Sequence, residues 1–152
     1  MLANYKEKEF KSIADADLGL DSEDDKEEIK KLTEEKSALL TALGDALSGK
    51  VKKVELTRRL KSHPCCLRAE GPVTLEMEKV LNAMPAQEKI KAQRVLEITG
   101  EHPIFQRLQE LYPSDKERLK LYAEILYDQA LLLEGISLED PSDFSQKLCQ
   151  LL

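Results

Sequence analysis

The feature that most constrains this chain lies between residues 115 and 151, where two amphipathic helices are separated by a short link. Ser114-Asp115-Lys116-Glu117 reads as a capping box, whose outer side chains satisfy each other's free backbone donors at a helix start. The helix it opens is expected over 115–134, with Leu119, Tyr122, Ile125, Leu126, Ala130 and Leu133 as its apolar residues. Gly135 suits the left-handed cap that closes such a helix. Asp140-Pro141 then opens a last helix bearing Phe144, Leu148 and Leu151, with aspartate as N-cap and proline at the first position. Two helices cannot bury two apolar stripes wholly against each other. Either they pack on the rest of the chain, or a second identical pair completes a four-helix bundle about a two-fold axis. Physics alone leaves both open.

The preceding sequence supplies a different kind of structure. Residues 21–28 are an acidic helix start, favoured by the positive end of the helix dipole. From Ile29 the apolar positions Leu32, Leu39, Leu40, Leu43, Ala46 and Leu47 recur at helical spacing, and Gly49 is a stop. One long N-terminal linking helix is expected. Period-two alternation of Val54 and Leu56 against Glu55 and Thr57 predicts a strand within 51–60. Cys65-Cys66-Leu67 predicts a second, ended by Gly71-Pro72, and Arg94 to Thr99 a third, with Leu96 and Ile98 on one face. Thr74 is a candidate N-cap for a short helix ending before Pro85, and Pro103 starts another that Pro113 stops. The expected fold is α+β: a small three-stranded sheet with packed helices, the long linking helix, and the C-terminal helical pair. Residues 1–20 show no clear period.

Composition excludes several classes. The 152 residues carry 23 Lys+Arg and 29 Asp+Glu, a net charge of −6. Residues 1–49 hold 7 basic and 13 acidic residues, leaving 16 of each in residues 50–152, so the acidic excess sits in the first third. Neither a nucleic-acid partner nor a membrane is expected from this balance and from the lack of a long apolar run. Three cysteines, an odd count, and no apolar signal segment fit free thiols in a cytoplasmic protein.

No catalytic constellation stands out: there is no Gly-x-Ser-x-Gly, no phosphate-cradling glycine loop and no His-Glu-x-x-His. His63, Cys65 and Cys66 raise a thiol- or metal-dependent binding function, against which stands the need of a structural zinc for four ligands; buried strand thiols are the plainer reading. Lys50, Lys52, Lys53, Arg58, Arg59 and Lys61 concentrate positive charge around the first strand. That run admits nucleic-acid binding, protection of a sheet edge, or docking on the acidic start of the first helix. Val73, Met77, Val80, Leu81 and Met84 form one helical stripe. Core burial and an adaptable, methionine-bearing contact surface are both open for it.

These segments also carry a pattern. Residues 51–64, with Val54-Glu55-Leu56-Thr57-Arg58-Arg59-Leu60 and His63-Pro64, resemble the sheet segment of the C-terminal domain of heat-shock protein 90 chaperones. Met77-Glu78-Lys79-Val80-Leu81-Asn82-Ala83 resembles that family's exposed amphipathic helix. Glu97-Ile98-Thr99-Gly100-Glu101-His102-Pro103-Ile104 and Tyr127-Asp128-Gln129-Ala130-Leu131-Leu132 resemble its later strand–helix junction and dimerisation helix, and Leu138-Glu139-Asp140-Pro141 precedes the last helix as in bacterial members.

The resemblance implies a piece of a longer ATP-driven molecular chaperone of the stress response. Residues 1–22 would be the end of a middle domain or linker, and residues 23–152 the C-terminal dimerisation domain. It implies homodimerisation through Leu119, Tyr122, Ile125, Leu126, Gln129, Ala130, Leu133, Phe144, Leu148 and Leu151. It implies contact with non-native client proteins through Val73, Met77, Val80, Leu81 and Met84. ATP and magnesium would belong to parts of the parent protein outside this piece, which would itself hold no cofactor and no catalytic or metal site. The sequence Cys149-Gln150-Leu151-Leu152 is not the acidic pentapeptide that recruits tetratricopeptide co-chaperones to cytosolic eukaryotic members, so no such partner is expected.

Overall fold

A computed structural model describes residues 4–5, 8–9, 23–85 and 89–152. Two short strands, β1 (Asn4–Tyr5) and β2 (Lys8–Glu9), pair antiparallel. The rest of the segment 1–22, expected to belong to a preceding domain or linker, lies outside the described residues. Next come α1 (Glu23–Glu35), α2 (Ser37–Ala46), β3 (Lys53–Thr57), β4 (Cys65–Glu70), α3 (Leu75–Ala83), β5 (Gln93–Thr99), α4 (Pro103–Ser114), α5 (Lys116–Leu133) and α6 (Pro141–Leu151). The fold is α+β, as the sequence predicts. Among the described residues no helix is long and apolar enough to cross a membrane.

The three-stranded sheet has the order β3-β5-β4, with β5 parallel to β3 and antiparallel to β4. Register explains its two faces. Leu96 lies between Val54 and Leu67, and Ile98 between Leu56 and Cys65, so the alternating apolar positions make one continuous face. Leu39, Leu40, Leu43 and Leu47 from α2 and its end, Phe105, Leu108 and Leu111 from α4, and Leu119, Ala123, Leu126 and Ala130 from α5 join them in one core. The opposite face is polar. Glu97, 5% exposed on the central strand, accepts from Arg59 Nη2 at 2.8 and 3.0 Å and from Arg68 Nε at 2.9 Å. Arg68 also donates to Glu55 at 2.8 Å. Such charge-assisted bonds offset the cost of burying a carboxylate.

Three boundaries differ from the expectation. The single linking helix is two, parted at Lys36 (φ −108°, ψ 10°), although Lys36 N–H still donates to Leu32 and Leu40 N–H to Lys36. Thr33 donates its hydroxyl to the Ile29 carbonyl at 2.7 Å, a bond that bends helices. The outcome is a solvated α1 and an α2 embedded in the core. Pro113 lies inside α4, in its last turn, rather than stopping it. Ser114 does not cap α5: its hydroxyl is held by the Glu110 carbonyl at 2.7 Å, and Asp115 is the N-cap, accepting from Arg118 N–H at 2.9 Å.

Candidate functional site

Helix α3 is seated the wrong way round for an ordinary surface helix. Thr74 caps it, accepting from Met77 N–H at 3.1 Å. Its buried residues are Leu75 and a glutamate, Glu78, which is 4% exposed, whereas Met77, Val80 and Met84 are 47%, 56% and 56% exposed. Of the expected stripe, Val73 packs against the core and Leu81 is half-buried. The reason is polar. Glu78 takes an ion pair from Arg94 Nη2 and a backbone bond from Ala92 N–H at 2.8 Å. Arg94, the first core-facing residue of β5, also donates to the Tyr127 hydroxyl of α5 at 2.5 Å. Burial works against the guanidinium charge, but Tyr127 and Glu78 outweigh it and hold Arg94 above its ordinary value. Asn82 closes the far end, exchanging two 2.9 Å bonds with the Ile90 backbone. A cleft of about 740 Å³ runs beside α3, reaching Lys91, Ile136 and Ser137. Sequence reading singled out the exposed stripe but missed Glu78, Arg94 and Tyr127. The available signal was the lone charge of Arg94 heading the apolar run Val95-Leu96, which demands a partner.

The second exposed apolar face lies on the terminal helices. Helix α5 ends in a Schellman cap: Ile136 N–H donates to Leu131 at 2.9 Å and Gly135 N–H to Leu132 at 3.0 Å, with Gly135 at φ +71°. Asp140 caps α6, accepting from Ser142 and Asp143 N–H at 3.0 Å each. Lys147 joins α6 to Glu124 of α5 at 2.7 Å. Yet α6 has no buried residue. Leu119, Ile125, Leu126 and Ala130, expected at a dimer interface, are buried within the chain itself. The expected residues that reach the surface are Tyr122, Gln129 and Phe144, which are half-buried, the half-buried Leu151, and the exposed Leu133 and Leu148. Leu132, 49% exposed, is an addition the sequence reading did not make.

The other candidates are placed apart. Cys65 and Cys66 are neighbours on β4 and so point to opposite faces. Cys65 Sγ donates to the Leu126 carbonyl at 3.2 Å in the core, Cys66 Sγ to Glu97 Oε2 at 3.5 Å, and His63 is exposed. Burial pushes each thiol up to about 12. Two side chains on opposite faces do not converge on one ion, and among the described residues no cluster of three or more His, Cys, Asp or Glu is placed to hold one. The basic run around β3 is largely paired: Lys52 with Glu70 at 2.8 Å, Lys53 with Glu55 at 2.7 Å, Arg59 with Glu97, and Arg58 with Glu28 of α1 at 2.5 Å. Of the three readings, docking on the acidic first helix is therefore the one with a contact. Among the described residues, four helix starts already have free backbone donors met by a side chain. Those of α3, α4, α5 and α6 are capped by Thr74, His102, Asp115 and Asp140.

Fold and faces together define an α+β protein with two exposed apolar surfaces, one on α3 and one on the terminal helices. The family model described as Hsp90 protein matches residues 1–152, and the chain belongs to the Hsp90 family. It is similar to proteins named Chaperone protein HtpG. It is 47% identical to that of Bacillus subtilis (strain 168), 49% to that of Clostridium botulinum (strain Langeland) and 48% to that of Clostridium perfringens (strain ATCC 13124), each over 152 residues. These matches cover 100% of this chain and 24% of each relative, so the chain spans about a quarter of their length.

Proposed function

We propose that this chain is the C-terminal dimerisation and client-contact domain of an ATP-dependent, cytoplasmic chaperone of the HtpG type. In this reading other parts of the protein bind ATP and magnesium. The observation that carries the client-contact role is the seating of α3, which buries Glu78 and leaves Met77, Val80 and Met84 exposed in one stripe. Full burial of each such side chain against a non-native protein contributes about 1.5–3 kcal/mol before association costs. Methionine's flexible thioether accepts partners of varied shape.

Dimerisation is supported by α6, an 11-residue helix with no buried residue, resting on an α5 that still exposes Leu132 and Leu133. A helix this short is marginal without tertiary packing. A second α5–α6 pair would cover Leu133, Leu148 and Leu151 in a four-helix bundle. Two clamp arms joined there would meet at high effective concentration.

The client-contact role is tested with Met77→Ser combined with Met84→Ser. Anisotropy of fluorescently labelled, reduced and carboxymethylated α-lactalbumin reports binding of a permanently unfolded protein. The double variant should bind about tenfold more weakly, from the loss of two apolar contacts, at an unchanged melting temperature. Equal binding by variant and parent would contradict the role.

A further inference from the structure

Resting on the reading that α3 meets clients, we propose that Glu78, Arg94 and Tyr127 are positioning residues that form a polar latch. The latch seats α3 on the body and holds Met77, Val80 and Met84 as one fixed face. Three observations carry this. First, α3 buries one leucine and one glutamate, so its attachment does not come from an apolar stripe. Second, the bonds that hold it run in series from α3 through β5 to α5: Glu78 to Arg94, then Arg94 to Tyr127 at 2.5 Å, with Ala92 N–H on the other Glu78 oxygen at 2.8 Å. All three residues are at most 7% exposed, so water competes little for these bonds. Third, the seat is incomplete. Arg94 Nε is buried without a hydrogen-bond partner among the described residues, and the cleft beside α3 separates Lys79 and Asn82 from the 135–140 link. A helix held by a few directional polar bonds beside open space opens locally when those bonds are lost. The same three residues also place the client-contact helix in direct linkage with α5, the helix that carries the proposed dimer face.

Glu78→Gln keeps the shape and an acceptor for Ala92 but removes the charge. Tyr127→Phe removes one hydroxyl and keeps the ring, so it reports even where Glu78→Gln does not fold. Both variants of the 152-residue chain are measured by amide hydrogen exchange, by light scattering and by binding of carboxymethylated α-lactalbumin. The latch predicts about tenfold faster exchange confined to residues 75–83. Protection in β5 and α5 and the solution mass should be unchanged, and probe binding should weaken. Unchanged exchange in α3 would overturn the latch. So would a loss of protection spread equally over β5 and α5, the mark of a merely structural role. Faster exchange in α3 with undiminished probe binding would uphold the latch and instead remove the client-contact reading.

Discussion

Cys65 and Cys66 show how one strand gives adjacent, chemically identical side chains different surroundings. Cys65 faces the core and the Leu126 carbonyl; Cys66 faces Glu97. In both, burial penalises the thiolate, and for Cys66 the Glu97 charge adds to it, so the thiols titrate near 12 instead of 9.0. The sign follows from linkage. The unfolded thiols lose protons as pH rises past 9 while the folded ones keep them, so rising pH favours the unfolded chain. Stability should therefore fall between pH 9 and 12, and Cys66→Ala should flatten that fall in denaturant titrations run across the range. An unchanged slope would contradict the burial argument for Cys66. Two glycines make a second, opposed pair of single-residue tests. Gly135 closes α5 at φ +71° with open space around its missing side chain, so Gly135→Ala meets only backbone strain. It should cost about 1 kcal/mol, ~2–4 °C in melting temperature for a domain of this size. Gly44, inside α2 at an ordinary φ and also with open space, should gain about as much on Gly44→Ala. Thermal melts that move the two variants in the same direction would contradict this.

At the scale of elements, punctuation was the most legible part of the sequence. Thr74, Gly135 and Asp140-Pro141 cap the helices they were expected to cap, because a cap is a local device read from a few adjacent residues. The parity of Val54 with Leu56 and of Leu96 with Ile98 also gave the apolar face of the sheet. The misses were contests between local signals and their neighbours. Ser114 belongs to the preceding helix, so Asp115 inherits the cap. The Thr33 bond to Ile29 accompanies a break at Lys36 that periodicity spans without notice. The central place of β5 and its mixed pairing are not encoded in any period. The latch was illegible for a similar reason: Glu78, Arg94 and Tyr127 come from three elements and meet only once these are packed. Helix α5 is the instructive case. Its apolar residues spread over more than one face of the helix, and seven of them, from Leu119 to Leu131, are buried. Its sequence therefore marked Leu119, Leu126 and Ala130 as apolar without showing that the chain's own core takes them. The apolar face left exposed lies toward Leu132, Leu133 and α6.

At the scale of the molecule, charge and length find their place in this arrangement. The acidic excess of the first third supplies Glu28, which pairs with Arg58 and ties α1 to the strand region. The remaining residues build one core under one face of a sheet, with two apolar surfaces left outside it, on α3 and on the α5–α6 pair. The division of labour, one surface for clients and one for a second copy, is the central claim, and its second half governs the first. A linked pair presents two α3 faces to one client, whereas a monomer presents one. The direct measurement is the solution mass of the 152-residue chain by multi-angle light scattering at micromolar concentration. A single species at twice 17.2 kDa, reduced to a monomer or lost to aggregation when residues 141–152 are removed, is the predicted result. A mass of 17.2 kDa for the intact chain under those conditions would contradict the account.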